Sequence, residues 1–180
     1  MRIIGIDPGS AVTGFGIVEG AAGVFSHIAA GTIRAPRGAS HPDRLHNIYR
    51  HLRAIIDEHA PQAMSLERNF VAINIQSAFR LGEARAIAML AAAERGLELY
   101  EYTPTQVKMT IAGFGAADKA QVKAMVRRTL RMDASIALVD DAADALAIAT
   151  CHLFRARFAS PARSAATRAA NGLSGGGIIE

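Results

Sequence analysis

The chain has 180 residues, of which 51% are hydrophobic and 20% charged, and its formal net charge is +4. This length favours one domain, and this composition excludes a mainly disordered chain. No apolar run approaches the roughly 20 residues that a membrane-spanning helix needs, and the first residues lack the apolar stretch of a signal peptide. The single cysteine, Cys151, excludes an internal disulfide and a cysteine zinc site, so we expect a protein of the reducing cytoplasm.

The charges are distributed unevenly along the chain. Residues 1–103 have equal numbers of positive and negative side chains, and residues 104–133 have an excess of Lys and Arg. The charged side chains of residues 134–154 are all acidic. A basic segment followed at once by an acidic cluster is typical of a protein that binds a polyanion beside a site of negative charge, such as a metal site. The charge pattern alone leaves an alternative open, in which a solvated helix face precedes the acids of a helix N-terminus.

The first part of the chain predicts strands joined by hairpins, followed by a helix and a further strand. Short apolar runs predict strands over residues 2–7, 14–19 and 24–34, with the third strand broken near residues 29–31. Apolar side chains at helical spacing predict an amphipathic helix over residues 43–59, which Pro61 ends. Residues 63–68 form a short apolar run before an acid, which predicts the fourth strand.

The second part of the chain predicts mainly helices. Helices are expected over residues 74–95, 104–111, 119–131 and 141–157. The last three are predicted to have Thr103, Asp118 and Asp140 as their N-caps. A fifth strand is expected over residues 97–102. We therefore predict an α/β fold over residues 1–157, a mixed five-stranded sheet with helices on both faces. The composition of residues 158–180, rich in Ser, Ala, Arg and Gly, predicts a disordered basic tail.

Four carboxylates occupy positions that suggest chemistry. Asp7 ends the first predicted strand and Glu67 lies at the end of the fourth, so the two are neighbours if these strands lie side by side. Asp141 and Asp144 are three residues apart, so they share one face of the last helix. Each acid alone has a structural explanation, as a helix-dipole partner or an arginine partner. All four in this order favour a site for a hard divalent cation such as Mg²⁺.

Two such ions about 4 Å apart would clamp a phosphodiester, activating a water and stabilising the leaving oxygen. This chemistry requires acidic ligands and needs neither a cysteine nor a catalytic serine. The sequence therefore favours metal-dependent cleavage of a nucleic acid backbone.

Five segments carry these residues in an order and at a spacing that resemble one known family. They are Gly5–Gly16 (G-I-D-P-G-S-A-V-T-G-F-G), Ser65–Phe70 (S-L-E-R-N-F), Ser77–Arg85 (S-A-F-R-L-G-E-A-R), Thr105–Lys108 (T-Q-V-K) and Asp141–Ala147 (D-A-A-D-A-L-A). Together they resemble the RuvC family of bacterial Holliday junction resolvases, from residue 1 to about residue 155. The resemblance implies a ribonuclease-H-like fold, a homodimer, and paired nicking of opposite strands at a four-way DNA junction during recombination and repair.

The resemblance also assigns roles to individual residues. It implies that Asp7, Glu67, Asp141 and Asp144 are catalytic acids that hold two Mg²⁺ ions, for which Mn²⁺ substitutes. It implies that Lys108 and Lys119 contact DNA near the scissile phosphate and that Phe70 stacks on a junction base. Both lysines lie in the basic segment. A branch-migration helicase as partner follows from the resemblance alone.

Two interpretations of other classes stay open beside this one. The Gly9–Gly14 loop also suits a nucleotide-binding module of the actin or sugar-kinase type, but such proteins need two of these domains and the chain has room for about one. The second interpretation is a junction-binding protein without catalytic activity. The four acids argue against it. The predicted helix 74–95 either pairs across a dimer axis, as the resemblance implies, or packs in the core.

Overall fold

The structure is a computed structural model that describes residues 1–68 and 75–158. The described residues form five strands and five helices in the predicted order. They are β1 (Arg2–Asp7), β2 (Val12–Ala21), β3 (Val24–Arg34), α1 (His41–His59), β4 (Ala63–Glu67), α2 (Ile75–Glu94), β5 (Glu98–Tyr102), α3 (Pro104–Ala112), α4 (Lys119–Thr129) and α5 (Asp140–Phe158). The predicted Phe70 contact and the predicted tail, except for its first residue, fall outside the described residues.

The five strands form one mixed sheet in the order β3-β2-β1-β4-β5. The first three strands are an antiparallel meander, whereas β4 and β5 run parallel to β1. Parallel neighbours need a crossover, and α2 supplies the one between β4 and β5. This topology confirms the predicted mixed sheet and brings the ends of β1 and β4 to the same edge.

Alternating side chains divide the core between the two faces of the sheet. Ile4 and Ile6 of β1 pack with Ile48 and Leu52 of α1 in the cluster that also includes α2. Ile3 faces the other way, into the cluster formed by α3, α4 and α5. Both faces are therefore covered, as predicted, and side chains of β1 with odd numbers point towards α5.

Three local predictions are wrong. The strand β3 is not broken at residues 29–31; its pairing with β2 shifts instead between Ile17 and Val18, where the partner changes from Ala29 to His27 and Ile28 is an additional residue. Asp140 is not an N-cap but the first residue of α5, because the N–H of Ala143 donates to the carbonyl of Val139 at 3.0 Å. The helix α4 ends at Thr129, before Arg131 adopts a positive φ of 50°.

The predicted caps of the two short helices are confirmed. Thr103 begins α3 and Asp118 begins α4, each with a reciprocal capping box that satisfies two backbone N–H groups. Among the described helices, none has an apolar stretch long enough to cross a bilayer. These caps fix the start of the two helices that carry Lys108 and Lys119.

Candidate active site

The strand register brings the first two acids together. Ile6 pairs with Leu66 in the parallel β1–β4 ladder, so Asp7 and Glu67 follow as neighbours at the ends of their strands. Asp7 also pairs with Gly14 of β2, and Glu67 pairs with Tyr102 of β5. Gly14, Asp7, Glu67 and Tyr102 thus form one row across the face of the sheet that α5 covers.

Glycines in β1 and β2 let α5 lie directly on the sheet. A Cβ atom at Gly5 would lie 2.1 Å from the carbonyl oxygen of Ala145, and one at Gly14 would lie 2.0 Å from that of Asp141. Only glycine permits this approach, which places the first turns of α5 over Asp7. The sequence analysis missed this role, although Gly14 and Gly16 alternate on one strand face, which is a signal for a closely packed partner.

A cleft of about 350 Å³ contains three of the predicted acids and both predicted lysines. Asp7 and Glu67 come from the sheet, Asp144 from α5, Lys108 from α3 and Lys119 from the start of α4. Apolar side chains complete its wall, among them Val107, Val122 and Ile148. Asp141 does not line this cleft, but it is close enough to Asp7 to act on it electrostatically.

Burial and neighbouring charges raise the affinity of Asp7 and Glu67 for protons. Burial, followed by the charges of Glu67, Asp144 and Asp141, raises the pKa of Asp7 from its ordinary 3.8 to about 7, and Lys119 opposes the shift. Burial and the charge of Asp144 also raise the pKa of Glu67, which Lys119 and Lys108 oppose. The two lysines therefore do not compensate the negative charge of the cleft in full.

The basic and acidic segments of the sequence are joined by ion pairs. Nζ of Lys119 donates to Oδ2 of Asp144 at 3.1 Å, and Nζ of Lys123 donates to Oδ1 of Asp140 at 2.8 Å. The bond to Asp144 raises the pKa of Lys119. Within residues 1–68 and 75–158, Lys108 has no ion-pair partner at bonding distance. Part of the positive charge expected to face DNA is thus held by α5.

The donor set suits a divalent cation. In this conformation, no three acidic, histidine or cysteine side chains of the described residues lie close enough together to enclose a metal ion. The donors are nevertheless hard carboxylate oxygens, and the pKa of Asp7 is raised by burial and by the charges of three other acids, which a bound cation would offset. The residues present therefore fit Mg²⁺ or Mn²⁺.

The raised pKa of Asp7 predicts an unusual pH dependence of stability. Without a metal ion, Asp7 keeps its proton in the folded chain and loses it in the unfolded chain between pH 3.8 and about 7. Stability therefore falls as the pH rises through this window. We expect the Asp7→Asn variant to gain on the order of 1–3 kcal/mol over the wild type between pH 5 and pH 8, measured by urea unfolding in EDTA. A constant difference between the two proteins would contradict the assigned pKa.

The comparison with protein families decides the identity of the fold. The model of the family "Crossover junction endodeoxyribonuclease RuvC" matches residues 3–152. The chain belongs to the RuvC family. The RuvC of Chloroflexus aggregans is 46% identical over 156 residues, covering 87% of this chain and 94% of the relative. The RuvC of Alkalilimnicola ehrlichii is 48% identical over 155 residues, covering 86% of this chain and 92% of the relative.

Solved structures agree with this assignment to the RuvC family. The structure of T. thermophilus RuvC in complex with a Holliday junction substrate has a TM-score of 0.82 at 31% identity and covers 88% of this chain and 96% of that one. The yeast mitochondrial Holliday junction resolvase, with a TM-score of 0.58 at 12% identity over 84% of this chain and 78% of that one, shares the fold alone. The resemblance to RuvC and the ribonuclease-H-like fold are confirmed.

Proposed function

We propose that this chain resolves Holliday junctions by metal-dependent hydrolysis of phosphodiester bonds in two opposite strands. The observation that carries the proposal is the convergence of Asp7, Glu67 and Asp144 in one cleft with Lys108 and Lys119. Membership of the RuvC family and the likeness to a relative solved on a Holliday junction support the junction as substrate. The proposed nuclease domain is residues 1–157, with residues 158–180 as an accessory tail.

The acids provide the proposed metal site. Asp7, Glu67, Asp141 and Asp144 would hold two Mg²⁺ ions, or Mn²⁺ in their place. Metal ions bound by such a site activate water and stabilise the leaving oxygen of a phosphodiester. Asp7 is central in this scheme because the charges of Glu67, Asp144 and Asp141 all act on it. The products would be 5′-phosphate and 3′-hydroxyl ends, which a ligase can seal.

The lysines provide the proposed phosphate contacts. Lys108 lines the cleft from α3 and influences Glu67 electrostatically. Lys119 bonds to Asp144 and is otherwise largely exposed, so its ammonium can reach a bound phosphate. Cations beside the reacting group stabilise the charge that develops on it. Phe70 follows Glu67 by three residues, and its proposed role is stacking on a junction base.

A homodimer is the proposed assembly, and the exposed face of α2 supports it. Ile75, Phe79 and Leu90 expose 76%, 69% and 51% of their surface, which is unusual for large apolar side chains. Gly82 and Ala86 continue the groove beside Phe79. Two identical sites related by a two-fold axis suit two symmetric cuts in a four-way junction. The proposed helicase partner rests on the family resemblance, and the proposed cytoplasmic location rests on the single cysteine, Cys151.

The proposed homodimer predicts that a charge introduced into the apolar groove of α2 changes the oligomeric state. We expect Phe79→Glu to convert a dimer into a monomer, because a dimer interface would bury this carboxylate in an apolar groove. Size-exclusion chromatography with light scattering measures the mass. Val24→Glu is the matched control, since Val24 is an exposed apolar residue of β3 and lies outside this groove. A dimeric Phe79→Glu protein would exclude this face as the interface.

A nicking assay tests the proposed function directly. The full chain is incubated with a synthetic four-way junction in Mg²⁺ or in EDTA, with a linear duplex of the same sequence as the control. We expect paired nicks in the junction in Mg²⁺ only. Binding without nicking would indicate the non-catalytic junction-binding protein. Binding of ATP without binding of the junction would indicate the nucleotide-binding module.

A further inference from the structure

The helix α2 also contributes to the active site, with residues other than those that line the apolar groove. A second, smaller cavity of about 80 Å³ is lined by Leu81 and Arg85 of α2 together with Asp7, Pro8 and Glu67. The larger cleft has its other walls on α3, α4 and α5, whereas this cavity lies against α2. Asp7 and Glu67 thus line both cavities, and Arg85 lines the second with them.

Arg85 is held by a carboxylate that lies outside this cavity. It forms an ion pair with Glu101 of β5, and the two side chains expose only 26% and 27% of their surface. Glu101 pairs with Leu66 in the β4–β5 ladder, one residue before Glu67. The Nε atom of Arg85 is buried and has no acceptor among the residues the structure describes. The pair therefore lies at the level of the acids, on the α2 face of the sheet.

An arginine that lines the same cavity as two proposed metal-binding carboxylates could compete with a metal ion for them. Arginine forms strong bidentate pairs with carboxylates, using the oxygens that a metal ion needs. Glu101 gives Arg85 a different partner. Held in this way, Arg85 is not among the charges that shift the pKa of Asp7 or Glu67, and it leaves their oxygens available to a metal ion.

We propose that Arg85 is a positioning residue of the nuclease site and that Glu101 restrains it, which keeps Asp7 and Glu67 free to bind metal ions. This inference rests on the proposed metal-dependent function. Since α2 also carries the apolar groove, one helix presents Phe79 to the proposed partner subunit and Arg85 to the active site.

Opposite effects of two substitutions test this role. Isothermal titration of the DNA-free protein with Mn²⁺ measures metal affinity. In Glu101→Gln, the released guanidinium competes for Asp7 and Glu67, so we expect Mn²⁺ to bind roughly tenfold more weakly, as the loss of one partly buried ion pair implies. In Arg85→Gln, a competing cation is absent, so Mn²⁺ should bind at least as tightly as in the wild type. A pair with only a structural role would shift both affinities in the same direction.

Conservative variants and a distant ion pair provide the controls. Glu101→Asp and Arg85→Lys keep the charges and should keep the wild-type affinity for Mn²⁺. Arg95→Gln removes the ion pair with Asp57, which joins the end of α2 to α1 away from both cavities, and should also leave it unchanged. Thermal unfolding without metal checks that each variant folds. If Arg85→Gln does not fold, the comparison of Glu101→Gln with Glu101→Asp decides alone.

The outcomes separate this inference from the proposed function. Weaker Mn²⁺ binding in Glu101→Gln but not in Arg85→Gln supports it. The proposed role of Arg85 and Glu101 is overturned if both variants bind Mn²⁺ equally weakly, or if Glu101→Gln binds it like the wild type. In either case the proposed function stands as long as the wild type binds Mn²⁺ and cuts junctions. A wild type that neither binds Mn²⁺ nor cuts contradicts the proposed function itself.

Discussion

Asp7→Asn should abolish junction cleavage and leave junction binding nearly intact. Asparagine keeps the shape of the side chain but removes the carboxylate on which the charges of Glu67, Asp144 and Asp141 all act. Losing one ligand of the proposed metal site would remove several kcal/mol of transition-state stabilisation, so we expect the single-turnover nicking rate in Mg²⁺ to fall by roughly 1,000-fold or more. Binding depends on cations such as Lys108, so the dissociation constant in EDTA should change only a few-fold.

Asp140→Asn is the matched control for this experiment. Asp140 precedes Asp141 directly, but its side chain is 75% exposed and pairs with Lys123 outside the cleft. The same loss of one negative charge should therefore leave the nicking rate within a few-fold of the wild type. An Asp7→Asn protein that cuts at the wild-type rate in Mg²⁺ would contradict the metal site.

Gly14→Ala should separate the acids of α5 from Asp7. The new Cβ would lie 2.0 Å from the carbonyl oxygen of Asp141, and a helix backbone cannot yield as a flexible side chain does. We expect α5 to shift by about 1 Å, which is enough to lower a reaction rate by about 100-fold, and stability to fall by about 1–3 kcal/mol. Single-turnover nicking and urea unfolding measure the two effects.

Gly20→Ala is the control on the same strand. Its Cβ would meet side-chain atoms of Leu153 and Phe25 at 3.1–3.3 Å, at the end of β2 away from the acids. These side chains can adjust, so nicking should stay near the wild-type rate. Equal losses in Gly14→Ala and Gly20→Ala would show that the close packing of α5 at Gly14 has no special role in catalysis.

Most of the secondary structure was predictable from local sequence patterns. The period of apolar residues in α1 and the capping boxes at Thr103 and Asp118 depend on neighbours a few residues apart, so they are readable from the sequence. The bulge in β3 depends on pairing with β2, and the start of α5 on the backbone bond from Ala143 to Val139. Such features have no local signal of equal strength, and these predictions were wrong.

In the candidate site, too, some features were predictable from the sequence and others were not. The positions of Asp7 and Glu67 at predicted strand ends and the spacing of Asp141 and Asp144 are enough to suggest a metal site. The charge pattern also suggests a basic surface, but it does not show that Lys119 bonds to Asp144 and Lys123 to Asp140. These partners are 25 and 17 residues apart, and only the packing of α4 on α5 brings them together.

The order of strands and helices and the resemblance to the RuvC family were predictable from the sequence, and so was a proposal for the chemistry of the site, because these depend on residue type and spacing. Tertiary packing is needed to place the acids near one another, to pair Lys119 with Asp144, and to bring Arg85 into one cavity with Asp7 and Glu67. The physical reason is that distances across a sheet follow from strand register and from the glycines beneath α5. Both are interactions between residues far apart in the chain.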